Sequence, residues 1–187
     1  MRYLIIFLLL FLSCSHSLFT GLPKQERVIV EAFDGLAHVL MDSGYAVAIG
    51  RGVSAREGLS KKEARLTGRA ALLDVVDSVL QDLHRQAEEL WPEKMDSLES
   101  QEVSADRPND PTDLGLAFAE MFEVMRSECV TDKQERTVCY ALVRVEQRAI
   151  LSYFKQTHEL DDVSVMIYPD RIKALYHEAL IAMLEPE

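Results

Sequence analysis

Residues Ser60 to Leu90 read SKKEARLTGRAALLDVVDSVLQDLHRQAEEL, with no proline and one glycine. That length at helical periodicity predicts one long helix, the element on which the rest of the fold is built. Ser60 followed by Glu63 has the form of a capping box, which would start the helix at Ser60. Two rows recur at helical spacing. One is Leu66, Ala70, Leu73, Asp77 and Leu80; the other is Ala64, Gly68, Ala71, Val75, Ser78 and Leu83. The second row begins with Ala64, Gly68 and Ala71, so another backbone can approach it closely. A sheet is the expected partner.

Just upstream, Gly44 to Gly52 reads GYAVAIGRG. Tyr45, Val47 and Ile49 alternate with Ala46, Ala48 and Gly50, the period of a strand with one large and one small face. The small face is expected against the small row of the long helix, with Val53 to Leu59 as the connecting loop. Before it, residues 24–41 (KQERVIVEAFDGLAHVLM) admit two readings. The cluster Val28-Ile29-Val30 favours a strand. Val28, Glu31, Ala32, Leu36, Val39 and Leu40 suit a helix face, and Gly44 can close a helix in the left-handed conformation. We take the helix.

Downstream, residues 91–112 contain three prolines and many acids without sustained periodicity, the composition of a solvated, flexible acidic loop. Residues 113–130 predict a short helix passing into a strand near Met121. TDKQER (131–136) is a polar turn, and TVCYALVRV (137–145) is the clearest strand of the chain, so the two strands form a hairpin. Helices are expected over 146–160, with Ala149, Ile150, Tyr153, Phe154 and Thr157 along one side, and from Pro169 onward. Ile172, Leu175, Tyr176, Ala179, Leu180 and Met183 form the stripe of the last helix. Between those two helices, residues 163–168 read as a short strand or extended link. The fold class expected is α+β: a small, mostly antiparallel sheet packed on a long helix, with extra N- and C-terminal helices.

The N-terminus carries an address. Met1-Arg2 precedes an apolar run, Leu4 to Leu12, too short for a membrane span, which needs about 20 residues. It has the form of a secretory signal peptide. The run ends Phe11-Leu12-Ser13-Cys14, a small residue directly before a cysteine, and resembles a bacterial lipobox. Phe11 stands where leucine is usual, and Leu12 where alanine or serine is usual. The resemblance implies cleavage before Cys14 and lipidation of its sulfur. Residues 1–13 are then the signal peptide, 14–25 a lipidated tether, and 26–187 a single domain. Two or three acyl chains hold a protein on a membrane stably where one does not. Ser15, not aspartate, follows the cysteine, which favours the outer membrane, with the body in the periplasm or at the cell surface.

The formal charge is −11, from 20 basic and 31 acidic residues, so nucleic acid is not an expected partner. With Cys14 lipidated, Cys129 and Cys139 remain, an even pair in an oxidising compartment. Each lies five residues from Gln134, so a regular hairpin turning there sets them opposite each other. Opposed non-hydrogen-bonded positions lie about 4.5 Å apart at Cα, within disulfide reach. Two free buried thiols are the other reading of the pair.

No set of residues has the pattern of a catalytic, cofactor or metal site. The histidines, His16, His38, His84, His158 and His177, are scattered. His84 with Glu88 is an i, i+4 pair without an evident third ligand. Gly50-Arg51-Gly52 lacks the third glycine and the lysine of a phosphate loop, and no G-x-S-x-G occurs.

Taken together, the lipobox-like start, the strand ending in Gly50-Arg51-Gly52, the helix with Ala64, Ala70 and Ala71, and the strand Tyr140-Ala141-Leu142-Val143-Arg144-Val145 resemble the LPP-twenty lipoproteins. The flagellar lipoprotein FlgP and the N-terminal domain of FlgT look like relatives of that family. The resemblance covers about residues 44–150. It implies a compact α+β domain without enzymatic activity or cofactor. It also implies envelope-structural or flagellum-associated roles, through an envelope or flagellar protein partner or self-association. A periplasmic domain binding a small ligand or lipid between its small-faced strand and helix is the other class of function the sequence allows.

Overall fold

A computed structural model describes residues 19, 21–92, 95, 111–158 and 169–184. Their order is α1 (Lys24–Asp42), β1 (Tyr45–Ser54), α2 (Glu57–Leu90), α3 (Pro111–Phe118), β2 (Glu123–Thr131), β3 (Thr137–Glu146), α4 (Gln147–Thr157) and α5 (Pro169–Leu184). The fold is α+β, with an antiparallel three-stranded sheet in the order β1-β3-β2, the 34-residue helix α2, and helices at both ends.

The central strand β3 is buried along nearly its whole length, because both of its faces are covered. Register places Gly50 opposite Ala141, Ala48 opposite Val143 and Gly52 opposite Cys139, so small residues from both strands share one face. That face receives α2. A Cβ on Gly50 would lie 2.1 Å from the Gly68 nitrogen and 2.2 Å from the Ala64 carbonyl oxygen; one on Gly52 would lie 2.3 Å from the Ser60 carbonyl oxygen. Backbone meets backbone there, and only glycine permits it. The other face, with Val47, Ile49, Tyr140 and Leu142, receives α1.

Two sequence expectations need correction, and a third stands. First, α2 begins at Glu57, a turn before the capping box, and β1 runs on through Ser54, so the connection is only Ala55-Arg56. Ser60 and Glu63 therefore sit inside the helix and serve the sheet. Ser60 Oγ lies 2.7 Å from Gly52 O and 2.9 Å from Thr137 O, two acceptors for its single hydrogen. The Glu63 carboxylate accepts the Val53 N–H at 2.9 Å. Of the two rows on α2, the small row is the inner one, as expected. Ala64, Gly68, Val75 and Leu83 are buried, whereas Leu66 is 56% exposed. The second correction is to α1, which is a helix as expected but buries Ile29, Val30, Phe33, Ala37, Leu40 and Met41. Val28 and Val39, from the expected face, are each 60% exposed. Both rows of α1 have helical spacing; the one with Phe33 and Met41 has the bulk to fill the space over the sheet.

Local signals explain the remaining boundaries. Gly44 closes α1 at φ +89 and gives its N–H to Met41 O at 3.1 Å, a left-handed cap. Residues 113–130 divide as expected into α3 and β2. Phe118 packs on Tyr153 of α4 with ring centroids 5.2 Å apart. The expected stripe of α5 docks, with Ile172, Leu175, Tyr176 and Leu180 buried. Its polar flank ties two helices together: Tyr176 donates to Asp34 of α1 at 3.0 Å, Lys173 pairs with Asp42 at 2.7 Å, and Arg171 pairs with Asp82 of α2 at 2.6 Å.

The acidic loop expected over 91–112 lies mostly outside the described residues, although Met95 is buried and α3 begins at Pro111. The leader, Cys14, the tether up to Leu18, and the link at 163–168 also lie outside them. Among the described residues no helix is long and apolar enough to cross a membrane.

Candidate functional site

Three features hold side chains with chemical potential, and each is placed by the packing just described. The first is the hairpin. β2 and β3 pair so that Cys129 faces Cys139, and the structure joins them in a disulfide with Cα atoms 4.0 Å apart. The turn is held by Asp132. Its carboxylate accepts the backbone N–H groups of Gln134 at 2.8 Å and Arg136 at 2.9 Å, and the Arg136 Nε–H at 2.8 Å. Burial pushes the Asp132 carboxyl up, but the Arg136 and Gln134 hydrogen bonds outweigh it and hold the group below the usual carboxylate range.

The second feature is a buried polar cluster linking α1, β1 and β3. The Tyr140 hydroxyl donates to the Glu26 carboxyl at 2.5 Å, and Arg51 Nε donates to the same phenol oxygen at 3.2 Å. Arg51 Nη2 lies 3.4 Å from Glu26. Glu26 and Tyr140 are 3% and 0% exposed. Burial, then the bond to Glu26, pushes the Tyr140 phenol far above its ordinary range. Burial alone would lower Arg51, but its bond to Tyr140 and the charge of Glu26 raise it. These groups satisfy one another, as a buried polar network must. Tyr140 and Arg51 belong to the motifs quoted above, yet their pairing with Glu26 was missed. The available signal was a charged residue on the large face of a strand, opposite a tyrosine; Glu26 itself sits one turn before Val30 on the inner face of α1.

The third feature is an open groove of about 1130 Å³ between α2 and α5, floored by the β1 edge at Ile49 and Gly50. Gly21 and Leu22 stand at its rim, Arg51 reaches it from the polar cluster, and Asp74 and Glu178 add acid to the walls. Burial and the neighbouring Asp77 push the Asp74 carboxyl above its ordinary range. The space between the small faces of β1 and α2 is filled by backbone contact, so the cavity lies beside that interface and not within it.

His84 lies 3.3 Å from Glu88, as the i, i+4 spacing allows, and its other ring nitrogen lies 3.3 Å from Nε2 of His158. Opposite ring atoms of His84 face the two partners, so the three do not converge on a common point. No group of three metal-ligating side chains occurs among the described residues. Comparisons of the chain with protein-family models, with curated proteins and with solved structures give no match.

Proposed function

We propose that this chain is a membrane-anchored bacterial lipoprotein of the LPP-twenty type. It acts without catalysis, by protein–protein interaction, in an envelope-structural or flagellum-associated role. The observation that supports this best is the Cys129–Cys139 disulfide. Such a bond persists in an oxidising compartment, which is where a leader ending at Ser13-Cys14 would deliver the chain. The buried polar groups support it too: Ser60, Glu26 and Tyr140 are spent on holding helices to the sheet.

Incorporation of labelled palmitate into the expressed protein tests the anchor. Wild type takes up label in the membrane fraction and Cys14→Ala takes up none; equal labelling of both would remove the anchor from the account. Deletion of the gene tests the role, with the reading standing on a motility or envelope defect and failing on neither.

The groove supports a second reading, a small-ligand or lipid-binding domain outside the cytoplasm. A rise in melting temperature on adding a long-chain fatty acid, lost in Ala71→Trp, would favour it.

A further inference from the structure

The outer row of α2 is covered over only part of its length. Leu73 is half-buried, facing Gly115 of α3. Toward the N-terminus of the helix, Leu59 and Leu66 are 54% and 56% exposed, and Ala70 is exposed beside them. Lys62, Arg65 and Arg69 are exposed along the same flank. The charge here runs against the chain: residues 56–69 hold five basic and two acidic residues, the remainder fifteen and twenty-nine. Both local acids are occupied within the fold, Glu57 by Lys61 at 2.5 Å and Glu63 by the Val53 N–H. Arg69 also donates to Phe122 O at 3.4 Å, which brings the patch up to Met121, 45% exposed.

A second observation concerns where the N-terminal segment joins the fold. Gly21 and Leu22 stand at the rim of the groove that Glu63, Thr67 and Ala70 also line, on the flank of α2 adjoining the exposed leucines. Gly21 lies seven positions after Cys14, a reach of at most about 25 Å. A lipid on Cys14 would hold this side of the molecule at the bilayer.

We propose that the N-terminal half of α2 is a docking face for an anionic bilayer. Leu59 and Leu66 enter the headgroup boundary, while Lys62, Arg65 and Arg69 meet lipid phosphates. The proposal rests on the anchored reading for its orientation only. The overall charge of −11 hides this local cluster, whose Lys62, Arg65 and Arg69 stand exposed on α2.

Sedimentation of the full chain with vesicles tests it, comparing phosphatidylcholine alone with phosphatidylcholine containing phosphatidylglycerol. A chain of charge −11 without an oriented basic face binds the anionic vesicles more weakly than the neutral ones. The docking face predicts the opposite, a preference of about tenfold or more for the anionic vesicles, lost in roughly 0.5 M salt. Lys62→Glu with Arg65→Glu abolishes the preference, and Leu66→Asp lowers binding to both vesicle types. These positions are exposed, and circular dichroism checks that the variants fold. Equal or weaker binding to anionic vesicles overturns the proposal, as does a preference unmoved by the double reversal. Self-association lost in those variants, without vesicle preference, would assign the face to a second copy of the chain. None of these outcomes depends on acylation, so failure of the anchor and failure of the docking face are read separately.

Discussion

At Gly50 the fold leaves no room for a single methyl group. Its neighbours are the backbone atoms of Gly68 and Ala64, which cannot turn aside as a flexible side chain could. Gly50→Ala is therefore expected to cost at least about 3 kcal/mol, the upper range for overpacking, read by urea denaturation. Gly58, in the first turn of α2, has open space around its missing Cβ. Gly58→Ala is expected to stabilise by roughly 0.5–1 kcal/mol through helix propensity. An unchanged midpoint in Gly50→Ala would disprove the close crossing. Tyr140→Phe leaves the buried Glu26 with only the longer Arg51 contact, and an expected cost of about 1–3 kcal/mol follows. Asp132 links residue chemistry to pH. Its folded pKa lies below the ordinary value of 3.8, so its contribution is fully present above that value and is lost as pH falls through the folded one. Asp132→Asn should lower the melting temperature at pH 7 and have little effect near pH 2; an equal effect at both would show that the charge is irrelevant.

Among the elements, the hairpin was the most legible. Two alternating runs around a polar turn set the register, and the register set the cysteine pairing. Replacing both with serine is expected to cost about 2–3 kcal/mol, and reductant should lower the wild-type midpoint toward that of the double variant. The start of α2 was not legible. Ser60 and Glu63 have the chemistry of a cap, but the same donor and acceptor satisfy β1 and β3 groups, and only tertiary contact decides between the uses. The face of α1 was misread for a related reason. Two rows with helical spacing compete, and pattern alone does not say which one meets the sheet. On α2 both rows have a use. The small one is required by the glycines of β1, and the other, exposed over its first turns, forms the proposed docking face.

For the whole molecule, the small-to-small match between GYAVAIGRG and the α2 row gave the architecture, because a crossing that close can be built only from glycine and alanine. The candidate sites were legible unevenly. The cysteine pair was, since symmetry about the polar turn sets Cys129 opposite Cys139 in a regular hairpin. The Glu26–Arg51–Tyr140 cluster and the groove were not, because they join residues more than 100 positions apart or depend on how α5 lies across β1. That placement of α5 rests partly on its ties to Asp34, Asp42 and Asp82 on two other helices.

The central claim is that a lipidated, disulfide-closed domain sits at the bacterial envelope, and one measurement reaches both halves of it. The intact mass of the mature protein from the membrane fraction is taken with and without reductant. The account predicts a chain that begins at Cys14, carries added acyl mass, and gains two hydrogens on reduction as Cys129–Cys139 opens. A soluble, unacylated chain cut at another position, with the same mass before and after reduction, would contradict it.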